Sequence, residues 1–166
     1  VYNPDFGVLN VLLSKLGLIE KPISFLGFDL ALLSVIIARI WRAMPFAFMN
    51  YYSALTTIPK DLYEAAAIDG ASPSQAFWNI TMPHLRTTTS STLLVLTVWT
   101  FMVFDITFGM TGGGPVNATK TLPMRIYQEM FGMKNLGTAS AWSLIAIGVL
   151  VIITILYWNM DKEDKS

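Results

Sequence analysis

The stretch EAAAIDGASPSQAFWNITMP, from Glu64 to Pro83, is polar and carries carboxylates, yet it lies between two long hydrophobic runs. Gly70 interrupts a segment that otherwise favours a helix. After it, Ser72 supplies an N-cap, Pro73 a first helical residue, and Gln75 the glutamine of a capping box. The pattern predicts two short helices joined by a turn and exposed to water.

This predicted hairpin carries side chains suited to contact with another molecule. Small residues would let a second surface approach its backbone closely: Ala65, Ala66, Ala67 and Ala71. Phe77 and Trp78 give the second helix an apolar side that must be buried against something. We therefore expect the hairpin to pack against a partner surface.

The runs around the hairpin are typical of a membrane protein. The chain has 166 residues, of which 54% are hydrophobic and only 13% charged. Roughly 20 apolar residues are needed for a helix to cross the hydrocarbon core of a bilayer. We predict an all-α membrane protein with three transmembrane helices, at residues 29–58, 87–108 and 138–159.

Several functional classes are disfavoured by composition and motif. Eleven basic and eleven acidic residues cancel, and no basic stripe suggests nucleic acid. Cys is absent and His84 is the single histidine, so neither a metal site nor a nucleophilic triad is expected. The glycine run of residues 111–119, TGGGPVNAT, fails the phosphate-loop pattern because Thr119 occupies the second glycine position. We expect a flexible turn there, no enzyme activity and no cofactor.

Two helical stripes of the predicted spans carry polar or aromatic side chains. Arg39, Arg42, Phe46 and Asn50 share one face of the first span. A charge near the bilayer centre is costly, so this face should not contact lipid. It either lines a solute pathway or forms an ion pair with a carboxylate outside this chain. The second span places Leu96, Trp99, Thr100 and Val103 on one face.

The spacing of the hairpin residues resembles the EAA loop of binding-protein-dependent ABC importer permeases. That loop reads E-A-A, then a glycine, then I-x-L-P. This chain keeps the pattern with one departure, Met82 in place of leucine; the matching positions are Glu64, Ala65, Ala66, Gly70, Ile80 and Pro83. The segments LYEAAAIDGAS (62–72), Phe104-Asp105 and TGGGP (111–115) resemble the carbohydrate subfamily, related to maltose and glycerol-phosphate permeases.

The resemblance implies a coupling role for the hairpin. In this family it docks into a groove of a cytoplasmic ATP-binding subunit, which binds ATP and Mg²⁺ and hydrolyses the nucleotide. The implied coupling residues are Glu64, Ala65, Ala66, Asp69, Gly70 and Ala71, with Gly70 forming the turn and the alanines allowing close approach. The flanking helices line the substrate path, so Arg42, Phe46, Trp99 and Thr100 are the candidate path residues.

The resemblance also implies a topology in a bacterial or archaeal cytoplasmic (inner) membrane. Residues 59–86 and the tail 160–166 would be cytoplasmic. Residues 1–23 and 109–137 would be external and include short interfacial helices, the second over Thr121 to Phe131. The positive-inside rule does not decide the orientation, because Lys and Arg are divided almost evenly between the two sets of segments.

We therefore expect residues 1–166 to be the C-terminal part of the transmembrane permease fold of a type I ABC importer, for a sugar. Expected partners are the ATP-binding subunit, a second permease, an extracytoplasmic solute-binding protein and the lipid membrane. One alternative is an ABC permease for another solute, such as a polyol phosphate. The other is a channel or secondary transporter that works without an ATPase.

Overall fold

The computed structural model describes Tyr2 and residues 7–163, and every regular element in this part of the chain is helical. The α-helices are α1 (Val8–Lys15), α2 (Ala31–Thr56), α3 (Lys60–Ile68), α4 (Pro73–Phe101), α5 (Asp105–Thr111), α6 (Leu122–Tyr127) and α7 (Leu136–Glu163). A π-helical turn, Phe77–Thr81, lies inside α4, and a second, Gln128–Gly132, continues α6. The predicted all-α class is confirmed for these residues. Parts of two predicted segments, residues 1 and 3–6 and residues 164–166, lie outside them.

Two of the helices are long and apolar enough to cross a membrane. These are α2, with 26 residues, and the 24 residues Leu136–Asn159 of α7. A third span results if α4 and α5 are counted together, since they are bent by 45° at a short break. The large apolar side chains along α2 and α7 are mostly exposed, among them Ile40 and Ile152. Such faces suit a lipid environment.

The hairpin and the second span are parts of one helix. We expected the cytoplasmic loop to end at residue 86, but α4 runs from Pro73 to Phe101 without a break there. The capped start at Ser72 initiates a helix, and nothing in the following Thr and Ser residues stops it. A displacement of the hairpin would therefore be transmitted directly along α4.

The same helix ends earlier than the predicted span, at Phe101 rather than Phe108. The Thr121 hydroxyl donates a hydrogen bond of 2.8 Å to the carbonyl of Val103, which lies in the break. Beyond it, the Phe104 ring stacks on Phe108 and packs against Tyr127, with centroid distances of 5.0 and 5.1 Å. The contacts of Thr121 and Tyr127, which are distant in sequence, hold the chain in its new direction after the break.

The backbone divides into two compact units. The first comprises Val1–Trp41 and Thr100–Ile147, and the glycine-rich loop lies within it. Gly112 and Gly113 have φ of 58° and 87°, and the Thr119 hydroxyl donates to the carbonyl of Gly114 at 2.9 Å. The loop is thus a turn that requires left-handed backbone. The second unit, Arg42–Trp99 and Gly148–Ser166, contains the hairpin and the site described next.

Candidate functional site

The hairpin turn is built by a left-handed glycine. Gly70 has φ of +76°, and its N–H donates to the carbonyl of Ala67 at 3.1 Å. The N–H of Ala71 donates to the carbonyl of Ala66 at 2.9 Å. These two bonds form a Schellman motif, which satisfies the last carbonyls of α3 and places the small side chains of Ala66 and Ala71 together. Gly70 therefore occupies the position that the sequence predicts for it.

The second helix of the hairpin begins with the predicted capping box. The Gln75 backbone N–H donates to the Ser72 hydroxyl at 3.3 Å, and the Ser72 N–H donates to the Gln75 side-chain oxygen at 2.8 Å. Pro73 takes the first helical position. The first helix of the hairpin, α3, has Pro59 at its N-cap position. The start of each hairpin helix is thus set by residues within a few positions of it in the sequence.

A hydrogen bond closes the base of the hairpin. The hydroxyls of Tyr63 on α3 and Thr81 on α4 lie 2.8 Å apart, and Thr81 is buried. This contact ties the two arms together across the π-helical turn. The hairpin is therefore a rigid unit rather than a loose loop.

The outer surface of the hairpin is exposed. Four of the predicted coupling residues are exposed, namely Glu64, Ala65, Asp69 and Gly70, while Ala66 and Ala71 are half-buried at the turn. The Ile68 side chain is 87% exposed and that of Trp78 is 62% exposed. Phe77 packs edge to face against Trp78 and is itself 42% exposed. Exposed apolar side chains next to small residues are typical of a surface to which another protein docks.

The structure brings together two of the four predicted path residues. The rings of Phe46 on α2 and Trp99 on α4 have centroids 4.7 Å apart and planes tilted by 50°. Arg42 lies one turn before Phe46 on α2 and is exposed, and Thr100 directly follows Trp99. Within the described residues, the buried Nε atom of Arg39 has no hydrogen-bond partner.

An open groove of about 500 Å³ lies between α2 and α4, with Phe46 among the residues that line it. Its lining is rich in hydroxyls, together with one amide and one imidazole. The residues are Phe46, Asn50, Ser53, Ala54 and Thr57 from α2 and His84, Thr87, Thr88, Ser91, Thr92 and Val95 from α4. Most polar members of this set were not predicted as site residues. Their spacing of three and four residues on each helix was the signal that could have identified them.

His84 is held at one side of this groove by its own helix. Its Nδ1 atom lies 2.7 Å from the carbonyl oxygen of Ile80. Because a carbonyl only accepts, Nδ1 is the donor in this bond, and in the neutral imidazole Nε2 is then an acceptor. Pro83 lacks the N–H that would bond Asn79 in a regular helix, and its ring would clash with that carbonyl. We attribute the wider π-helical turn before Pro83 to this conflict.

A second, smaller cavity of about 210 Å³ lies between α4 and α7. It is lined by Ser90, Ser91, Leu94, Thr154, Tyr157 and Trp158. Nearby, the hydroxyls of Thr97 and Tyr157 lie 3.3 Å apart. Ser91 of α4 lines both this cavity and the groove with α2, so the two cavities meet at that residue.

Comparisons with known proteins give the family of this chain. The family model of the binding-protein-dependent transport system inner membrane component matches residues 4–164. The sn-glycerol-3-phosphate transport system permease protein UgpA of Agrobacterium fabrum is 38% identical, over 98% of this chain and 55% of the relative. The trehalose/maltose transport system permease protein MalF of Thermococcus litoralis is 35% identical, over 100% of this chain and 56% of the relative.

A solved structure shares the fold. The crystal structure of a bacterial alginate ABC transporter, in complex with an alginate pentasaccharide-bound periplasmic protein, contains a chain that matches with a TM-score of 0.85 at 24% identity. The match covers 98% of this chain and 56% of that chain. This chain thus spans about half the length of the relatives it matches. It belongs to the family of binding-protein-dependent transport system inner membrane components.

Proposed function

We propose that the protein is part of a transmembrane permease subunit of a binding-protein-dependent ABC importer for a sugar or a related polyol. The observation that carries this proposal is the exposed, doubly capped hairpin around Gly70 in a chain of this family. An exposed and well-capped hairpin between two membrane spans is expected where another protein binds to it. The permease names of the relatives support the same conclusion.

The hairpin couples the permease to an ATP-binding subunit. The exposed Ile68 and Trp78 provide apolar contact area for a cleft, and the small Ala65 lets that cleft approach the backbone. Glu64 and Asp69 add polar contacts at the edge. ATP and Mg²⁺ are held by that partner, and this chain contributes no catalytic residue. A second permease and an extracytoplasmic solute-binding protein complete the importer.

Motion of the hairpin reaches the solute path through α4. Because the hairpin arm and the span form one helix, a pull at Trp78 acts on Trp99 without an intervening loop. The aromatic pair of Phe46 and Trp99 suits a sugar ring, since aromatic faces stack on its apolar side. In this scheme residues 59–86 and 160–166 face the cytoplasm, and residues 1–23 and 109–137 face outward.

The coupling role can be tested with one apolar and one polar substitution. In the assembled transporter, Ile68→Ser and Glu64→Ala should each lower the amount of ATP-binding subunit that copurifies, or uncouple hydrolysis from uptake. Val116→Ser is the matched control, because this aliphatic side chain is 84% exposed but lies in the glycine-rich loop. Copurification and coupled uptake at the wild-type level in both hairpin variants would contradict the proposal.

A polyol phosphate is the second candidate solute, because a relative at 38% identity is a permease for sn-glycerol-3-phosphate. The two solute classes are distinguished by which compound stimulates ATP hydrolysis in the complex with its solute-binding protein. A channel or secondary transporter is the remaining alternative. Uptake that continues at full rate without the ATP-binding subunit would favour it.

A further inference from the structure

We infer that the small cavity between α4 and α7 holds the glycerol and ester groups of a membrane phospholipid. Neither the family motif nor the proposed transport function assigns a ligand to this cavity. Its volume of about 210 Å³ is below the range of about 300–1,000 Å³ that is usual for sites enclosing a whole small molecule. The cavity therefore suits one polar segment of a larger ligand, whose remaining part lies outside it.

The cavity lies at the ends of two membrane-spanning segments. On α7 the span is Leu136–Asn159, so Tyr157 and Trp158 are among its last residues. On α4 the continuous apolar run begins at Leu93, just after the hydroxyl-rich run that includes Ser90. Tyr and Trp are enriched at the level of the lipid head groups, because their rings are apolar and carry one polar group. Both helices thus place the cavity at the bilayer boundary nearest the hairpin.

The α7 surface beside the cavity is apolar and exposed. Ile155 and Leu156 lie between the lining residues Thr154 and Tyr157 in the chain, and they are 52% and 57% exposed. Trp158, which itself lines the cavity, is 64% exposed. In a membrane protein such exposed apolar surface suits contact with lipid. The cavity therefore adjoins a surface on which phospholipid is the molecule at hand.

Two serines give the cavity the hydrogen-bond donors that a phospholipid needs, since its ester and phosphate oxygens only accept. Within the described part of the chain, the hydroxyls of Ser90 and Ser91 have no hydrogen-bond partner. The Thr154 hydroxyl, by contrast, already donates to the carbonyl of Leu150 at 2.8 Å. Each serine hydroxyl carries one donor, so two donors are available to ester oxygens.

The rest of the lining fits the apolar part of the same lipid segment. Leu94 and the rings of Tyr157 and Trp158 offer contact to the first carbons of the acyl chains. The hydroxyls of Tyr157 and Thr97, 3.3 Å apart, join α7 to α4 beside the cavity. The lining includes no Arg, Lys, Asp or Glu. The site therefore recognises the glycerol and ester groups that phospholipids share, rather than one charged head group.

The competing occupant is a helix from another part of the transporter. Ser and Thr also occur where membrane helices pack closely. Such packing relies on small side chains that let two backbones meet, whereas this lining includes the larger Leu94, Tyr157 and Trp158. A lipid can leave the cavity without loss of the assembly, but a packed helix cannot, and this difference can be measured.

The test uses a phosphatidylethanolamine that carries a photoactivatable diazirine on an acyl carbon next to the glycerol. This probe is titrated, in detergent micelles, into the transporter purified with its partner subunits. Cross-linked peptides are then identified by mass spectrometry. Leu94→Trp fills the cavity, and Leu93→Trp is the matched control, because Leu93 is 47% exposed and lies outside the lining.

A second pair of variants removes the donors without filling the cavity. Ser90→Ala with Ser91→Ala deletes both free hydroxyls. Ser140→Ala with Ser143→Ala makes the same two substitutions on α7, outside the cavity lining. The measurement needs neither solute nor ATP hydrolysis, so its outcome is independent of whether the transport proposal holds.

We expect saturable labelling of segments 90–94 and 154–158. It should fall about three- to ten-fold in Leu94→Trp and in the Ser90/Ser91 variant, and less than about two-fold in the controls. The yield of assembled complex should be equal in all variants. Labelling that never saturates would indicate bulk lipid only and would overturn the inference, as would equal labelling in variants and controls. A loss of assembly confined to Leu94→Trp would also overturn it, because a packed helix would then occupy the cavity.

Discussion

At the scale of single residues, the hairpin shows which features follow from local sequence. The left-handed Gly70 and the capping box of Ser72 and Gln75 were predictable, because each depends only on residues a few positions apart. The pairing of Phe46 with Trp99 was not, since each ring was assigned to a face of its own helix without a known partner. The groove hydroxyls were missed because Ser and Thr in a hydrophobic run fit several roles.

Gly70 gives a prediction at this scale. A Cβ at this position would meet no atom within 4 Å, so space is not the constraint. Its φ of +76° is the constraint, and a non-glycine residue there costs about 1–2 kcal/mol. Gly70→Ala should loosen the turn and lower the number of solute molecules taken up per ATP hydrolysed in proteoliposomes.

The control for this prediction is Gly70→Asn. Asparagine tolerates left-handed backbone far better than alanine, so this variant should keep most of the coupling although its side chain is larger. If both variants couple normally, the turn geometry is unimportant. If the asparagine variant is the worse of the two, bulk at the docking surface matters more than backbone conformation.

At the scale of elements, α4 differs most from expectation. The prediction divided this stretch into a hairpin that ends at residue 86 and a span that begins at residue 87, with the polar run of residues 87–92 counted in the span. A helix needs a reason to stop, and none exists before Phe101. The actual stop depends on Thr121 and Tyr127, which are far away in sequence, so no local pattern could indicate it.

Pro83 yields the prediction that belongs to this scale. Pro83→Ala restores an N–H and removes the ring that conflicts with the preceding turn. The π-helical turn Phe77–Thr81 should then revert to regular α-helix, which rotates one part of α4 against the other by about 100°. Thr81 should turn away from Tyr63, and their hydrogen bond should be lost.

Cysteine cross-linking can measure this rotation, because residues 1–166 contain no cysteine. A short bismaleimide, whose spacer takes the place of the tyrosine ring, should join Tyr63→Cys to Thr81→Cys readily in the otherwise unmodified protein and several-fold more slowly with Pro83→Ala. Pro73→Ala is the control, since a proline at the first helical position causes no such conflict. Equal cross-linking in all three backgrounds would show that Pro83 does not set the turn.

At the scale of the whole molecule, the exposure of large apolar side chains shows which helices suit a lipid environment. Few large apolar side chains among the described residues are buried, and most of those along α2 and α7 are exposed. Hydropathy predicted these spans well, because a bilayer imposes length and composition on any helix that crosses it. It could not orient them, since basic residues are balanced between the two sets of connecting segments. Orientation therefore needs its own measurement.

Two exposed aliphatic residues make that measurement direct. Ile68 lies at the end of α3 and Val116 in the glycine-rich loop, and a bent span formed by α4 and α5 separates them along the chain. An odd number of crossings places them on opposite sides of the membrane. Residues 1–166 contain no cysteine. In intact cells, Val116→Cys should therefore gain labelling by a membrane-impermeant maleimide over the unsubstituted protein, whereas Ile68→Cys should gain it only after permeabilisation. Labelling of both positions from outside would mean that α4 and α5 do not cross together. The reverse pattern would place the hairpin on the external face, where no ATP-binding subunit could reach it.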